Sequence, residues 1–150
     1  MNLFGHEQEM TTSDDYYTPA WVFEDMAVEF DMDVASPPGG VPWIPARRFL
    51  TMADDGLTSP WEGKVWMNPP FSGARHWVKR FMEYGNGIAL LPMARSNWLN
   101  DIWDTGDPLV LLPKVGSFVF VGGTVSYGCF LWGRGGDWAV EAIGRVGHVR

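Results

Sequence analysis

Apolar and polar positions change rhythm several times along the chain, and each change marks an element. Trp21, Val22, Met26 and Phe30 recur at helical spacing after Thr18 and Pro19, where Thr18 suits the N-cap and Pro19 the first helical position. FDMDVAS (30–36) alternates apolar and acidic residues, the pattern of a strand running into a polar loop. SPPGGVPWIP (36–45) is a Pro/Gly connection that regular structure does not admit. RRFLTMADDGL (47–57) reads as a short strand entering an acidic turn, and KVWMN (64–68) as the next strand. Two prolines stop that strand, because proline cannot donate to a sheet ladder.

Ser72 is then placed to cap a helix through Tyr84 that Gly85 ends. Trp77, Val78, Phe81 and Met82 form its expected buried side, and Arg75, Lys79 and Arg80 decorate the other. GIALLPM (87–93) predicts a buried strand and SNWLNDIW (96–103) a short helix. PLVLL, SFVFV and YGCFLW read as strands, the last two as a hairpin across Gly122 and Gly123. The tail from Asp137 suits a short helix or another strand. Strands alternating with helices early, and adjacent strands late, predict an α/β fold with a mostly parallel central sheet, flanking helices and an antiparallel C-terminal hairpin. Residues 1–14 read as a flexible lead-in and 15–150 as a single domain. In such sheets ligands bind beyond the carboxyl ends of the strands. FDMDVAS, MADDGL and MNPPF all end there in polar or aromatic residues, so these three loops are expected to share a site.

Composition narrows the function classes. With 46% hydrophobic and 19% charged residues the chain is globular, and 150 residues suffice for one core. No apolar run approaches a membrane span, and MNLFGHEQEM lacks the pattern of a signal peptide, so a cytoplasmic location is expected. Eleven Lys and Arg against 18 Asp and Glu give a net charge of −7, which argues against non-specific coating of nucleic acid but leaves room for a local basic strip. Cys129 is the lone cysteine and sits in an apolar run, which points to burial. His6, His76 and His148 are scattered, so no metal site is expected, and no GxSxG elbow suggests a serine hydrolase.

The NPPF corner offers a specific chemistry. Asn68 carries an amide carbonyl, and Pro69 a backbone carbonyl whose direction the ring of Pro70 fixes. Two carbonyls aimed at one spot accept both hydrogens of an exocyclic amine, and Phe71 stacks on the planar ring that bears it. A nucleobase amine such as adenine N6 suits this arrangement; so does a planar side-chain amide. No strong base or nucleophile is at hand, so positioning is the implied contribution. The plainer reading stands beside it: Pro-Pro ends a strand, and Phe71 belongs to the core.

In order along the chain, DYYTP (15–19), FDMDVAS, FLTMADDGL, WEGKVWMNPPFS and LLPMARSNW (90–98) resemble the phage-type, Dam-like DNA N6-adenine methyltransferases, which are S-adenosylmethionine-dependent enzymes with a Rossmann-like fold. SFVFVGGT (117–124) resembles the closing strands of that family only loosely. The resemblance implies that Tyr17, Thr18 and Pro19 border the methionine part of the cofactor. It puts Asp33 and Ala35, with Asp31, near the cofactor's amino acid and ribose, and Asp55, Gly56 and Leu57 at its adenine. Asn68, Pro69, Pro70 and Phe71 become the catalytic corner, while for Asp54 the plainer reading is preferred, a loop-capping or solvated carboxylate.

The chain departs from the family pattern in two places. An FxGxG loop after the first strand is replaced by Gly39 and Gly40 behind two prolines, and Phe71 stands where Tyr is commoner. A double-stranded DNA partner with a flipped adenine is implied, contacted by Arg75, Lys79, Arg80 and Arg95, with Arg47 and Arg48 next; the alternative for each is a solvated face. No separate target-recognition domain fits in the chain, so sequence preference falls to loop 36–47 or to the SFVFVGGTVSYG hairpin. A homodimer is a further candidate partner, and protection of phage DNA from restriction a candidate role. The competing functions are methylation of RNA or protein glutamine through the same corner, and a catalytically silent relative that binds DNA or a host protein.

Overall fold

Short apolar runs in the sequence become the strands of one mixed six-stranded sheet in a computed structural model that describes residues 17–112 and 128–150. β1 (Phe30–Asp33) pairs in parallel with β2 (Ala46–Phe49) on one side and with β3 (Val65–Met67) on the other. β4 (Gly87–Pro92) continues parallel to β3. β5 (Leu109–Leu112) and β6 (Cys129–Arg134) complete the sheet: β6 lies antiparallel between β4 and β5, giving the order β2-β1-β3-β4-β6-β5. The two edges differ. β2 (ARRF) is largely exposed and pairs Arg47 with Glu29 and Arg48 with Glu62, the charged dressing that keeps an edge strand from recruiting another chain.

Among the described residues four α-helices cover the sheet: α1 (Ala20–Met26), α2 (Ala74–Tyr84), α3 (Asn97–Asp104) and α4 (Asp137–Gly144). Every residue of β4 is buried, which is why GIALLP reads as an unbroken apolar run. Its side chains alternate between layers. Ile88 and Leu90 join a cluster with Val22, Met26, Ala139 and Ile143 of α1 and α4, whereas Ala89 and Leu91 join Val78, Phe81 and Ile102 of α2 and α3. Each Val, Leu, Ile, Met or Phe among them, when fully buried, contributes roughly 1.5–3 kcal/mol. Gly87 lets the layers close, since a Cβ there would lie 2.6 Å from the Val65 carbonyl and 2.9 Å from Phe81.

Helix boundaries follow the sequence at some ends and not others. Gly85 terminates α2 in the left-handed conformation (φ 81°), with its N–H on the Phe81 carbonyl, as its position predicts. Ser72 does not cap that helix: a 3-10 turn (Phe71–Gly73) intervenes, and Gly73 holds the N-cap position. Pro19, not Thr18, holds the N-cap of α1. The tail from Asp137 is helical. Residues 1–14 and the expected hairpin across Gly122 and Gly123 lie outside the described residues. Among the described residues no helix is long and apolar enough to cross a membrane.

Candidate functional site

The strand order reverses between β1 and β3, because β1 leads outward to β2 while β3 leads the other way to β4. Loops leaving adjacent strands diverge at such a point and open a crevice. A cavity of about 600 Å³ lies there, within the range of roughly 300–1,000 Å³ usual for small-molecule and cofactor sites.

Three strand ends supply its walls. Beyond β1 come Asp33, Val34 and Ala35, then Pro37 and Pro38. The Pro37–Gly40 segment closes as a turn with the Gly40 N–H on the Pro37 carbonyl at 3.0 Å, and Gly39 sits at φ 83° where a type II turn requires glycine. Beyond β2 come Leu50, Thr51 and Met52, followed by Asp55, Gly56 and Leu57. Asp54 braces this second loop from within, since its Oδ2 accepts the Thr51 N–H at 2.8 Å and the Thr51 hydroxyl at 3.1 Å. The indole of Trp61 donates to the Gly56 carbonyl at 2.8 Å. Gly56 is buried against Trp77, and a Cβ at this position would stand 2.2 Å from the Val34 carbonyl. Only glycine lets the turn pack so closely to the end of β1.

The third wall joins the segment before α1 to the end of β3. Tyr17, Thr18, Asn68 and Pro70 line the cavity. Thr18 is fully buried; its carbonyl accepts the Trp43 indole N–H at 2.8 Å, and its hydroxyl accepts an N–H of Asn68 Nδ2 at 3.1 Å. Two segments 50 residues apart are thus tied at the corner. Pro69 is buried, and Phe71 is partly buried against the cluster that holds Phe23 and Trp66; both lie beside the cavity, outside its lining.

Asp33 dominates the local electrostatics. It is 3% exposed, and its Oδ1 accepts the Ala35 N–H at 3.3 Å. Burial pushes its carboxyl up to about 7, with the Ala35 hydrogen bond opposing the shift. Burial likewise raises the Cys129 thiol to about 12, which leaves it inert.

Asp31 lies elsewhere: its Oδ2 accepts the Lys64 N–H at 2.7 Å, which ties β1 to the start of β3. Pro19 begins α1 outside the cavity lining. Arg75 and Lys79 are exposed on α2, and Arg95 is exposed beyond β4. Arg80 is engaged internally, with its guanidinium 4.6 Å from the centre of the Trp61 ring and its Nη2 on the Ser59 carbonyl at 3.1 Å. Arg47 and Arg48 are held by Glu29 and Glu62 on the edge strand.

Several lining residues escape a reading of the sequence. Ile44, Leu50, Trp66 and Trp77 carry only the signature of core positions, and Trp77 falls on the apolar stripe of its helix although it walls the cavity. Their sole signal is proximity in sequence to strand ends. Among the described residues no group of three or more His, Cys, Asp or Glu is gathered to hold a metal ion.

Neither a curated protein nor a solved structure matches the chain. A family model does, over residues 6–125, which is well over half of the sequence, and with it the cavity at the strand-order reversal and the NPPF corner gain a common context: the chain belongs to the DNA N-6-adenine-methyltransferase (Dam) family.

Proposed function

We propose that the chain transfers a methyl group from S-adenosylmethionine to N6 of a flipped adenine in double-stranded DNA. The observation that carries this reading is the convergence of Asp33, the Asp55–Leu57 turn, Thr18 and Asn68 on one cavity, in a member of this family. The parallel run β2-β1-β3-β4, with β6 inserted antiparallel before β5, supports a Rossmann-like description of the sheet.

The residues present fit S-adenosylmethionine. Asp33 offers a buried carboxyl that an ammonium would pull back to its ionised form, and Asp55 an exposed carboxylate that suits hydroxyl or amine donors. Leu57, Ile44 and Trp77 give apolar surface for a purine ring. In this assignment Tyr17, Thr18 and Pro19 border the methionine end, Asp33 and Ala35 the amino acid and ribose, and Asp55, Gly56 and Leu57 the adenine. When bound, the cofactor supplies an electrophilic sulfonium methyl.

The chain's own contribution is to hold the acceptor amine. Asn68 Oδ1 and the Pro69 carbonyl accept its two hydrogens, while Phe71 stacks on the base. Pro69 and Phe71 flank the cavity without lining it, which suits groups that meet the target and leave the cavity to the cofactor. Extruding the base costs on the order of a few kcal/mol, which stacking and hydrogen bonds at the corner offset. Arg75, Lys79 and Arg95, all exposed, are candidate cations for phosphates, whereas Arg80 braces the Trp61 loop.

The test pairs labelled S-adenosylmethionine with unmethylated DNA, beside an Asn68→Ala variant, and locates the label by nucleoside analysis. Label on N6-methyladenine that disappears in the variant is the expected result. Cofactor binding with label on RNA or on protein glutamine, and none on DNA, would replace the substrate. Absence of both binding and transfer would leave a silent binding protein.

A further inference from the structure

Within the corner, one buried hydroxyl reaches across the fold to the side chain of Asn68. We infer that Thr18 is a positioning residue for Asn68, its buried hydroxyl anchoring the side-chain amide with Nδ2 toward itself so that the carbonyl faces the substrate; the inference rests on the role of Asn68 proposed above. An asparagine amide has two nearly isosteric orientations that exchange donor and acceptor. Only the one with Oδ1 toward the target amine accepts its hydrogen, while the other presents N–H to N–H. Here Nδ2 is committed to Thr18 Oγ1 at 3.1 Å, so Oδ1 occupies the other branch of the amide.

The acceptor itself is immobilised. Thr18 is 0% exposed, so no solvent competes for its hydroxyl. Its carbonyl is pinned by the Trp43 indole at 2.8 Å, and the next residue, Pro19, opens α1 with its carbonyl on the Val22 N–H at 3.2 Å. The loop 36–45, the start of α1 and the end of β3 therefore meet at Thr18. The cost of that arrangement is also visible: the hydroxyl that could have capped α1 is spent 50 residues away, and the helix starts without a side-chain cap.

Thr18 also lines the cavity, so the test must separate an effect on Asn68 from an effect on the cofactor. Thr18→Val keeps the shape and removes the acceptor; Thr18→Ser keeps the acceptor. Full-length variants are compared with Asn68→Ala for turnover on DNA, for cofactor affinity by titration and for melting temperature. Expected for Thr18→Val is a loss of roughly 10- to 100-fold in kcat, the scale of a misplaced reacting group, with cofactor affinity changed less than about threefold and most of the loss recovered in Thr18→Ser. A fall in cofactor affinity with kcat unchanged overturns the inference, as does an equal loss in the serine variant. Wild-type turnover in Thr18→Val with Asn68→Ala silent removes the inference alone; wild-type turnover in Asn68→Ala removes the corner reading and this one together. Should the valine variant not fold, Thr18→Ala is read by the same criteria.

Discussion

Asp33 closes β1 with 3% of its surface exposed, and burial holds its carboxyl at about 7 against an ordinary 3.8. Between those values the folded chain keeps a proton that the unfolded chain has released. Stability from this group is therefore complete below the ordinary carboxylate range and is lost as pH rises through 7. Urea unfolding of the ligand-free protein should show a lower midpoint at pH 8 than at pH 5, by an amount on the order of a few kcal/mol. In Asp33→Asn this part of the pH dependence should vanish, and the variant should be the more stable protein at pH 8 while binding cofactor more weakly. A parent midpoint that stays level or rises across that range would refute the assignment. The two acids of FDMDVAS show how far sequence reaches at this scale. Asp31 and Asp33 are chemically alike, and only the place where β1 stops, which the pattern does not mark to one residue, puts Asp33 at the cavity and Asp31 on the Lys64 N–H. Arg80 is a similar case: its stacking on Trp61 joins parts of the chain that no local pattern connects.

Among the elements, α3 is the one whose start is best defined. Ser96 is extended at φ −169° and ψ 158°, and its hydroxyl accepts the Leu99 N–H at 3.3 Å. Replacing it with alanine should cost about 1 kcal/mol, seen as a lower urea midpoint at unchanged slope; an unchanged midpoint would mean that this bond adds nothing in solution. Such a cap is local, its donor and acceptor three residues apart, and Gly85, legible in the sequence, is local too, its N–H reaching Phe81 four residues back. Thr18 and Ser72 looked equally good as caps. Thr18 fails because a distant amide takes its hydroxyl, and Ser72 because Pro70 leads into a 3-10 turn first. Local rules hold where no tertiary partner outbids them.

For the molecule as a whole, one part of the parallel half follows from the order of elements, the β3-α2-β4 crossover. β1, β2 and β3, by contrast, succeed one another with no helix between them, against the expected alternation. The carboxyl-end cavity follows from the strand order. The antiparallel half does not follow from the order of elements. β6 enters between β4 and β5, out of chain order, and nothing in CFLWGR specifies which neighbours it takes. The sequence does show β6 as an apolar strand, and its glycine, Gly133, accommodates α4, since a Cβ there would lie 3.2 Å from Ala139. Charge also acts at this scale. With a net charge of −7 and Arg47 and Arg48 bound to acidic neighbours, DNA contact in the proposed function falls to exposed cations such as Arg75, Lys79 and Arg95.

The late arrival of β6 has a consequence for how the protein is made. Until Cys129–Arg134 leaves the ribosome, β4 can pair with β3 but has no strand on its other side. During that interval six uncharged residues, GIALLP, present an open row of N–H and C=O groups to any other nascent chain. A fragment ending at residue 127 should therefore collect in inclusion bodies to a greater extent than the 150-residue chain, and a soluble monomeric fragment would contradict this. Synthesis of the last stretch is then what takes the growing chain out of reach of aggregation.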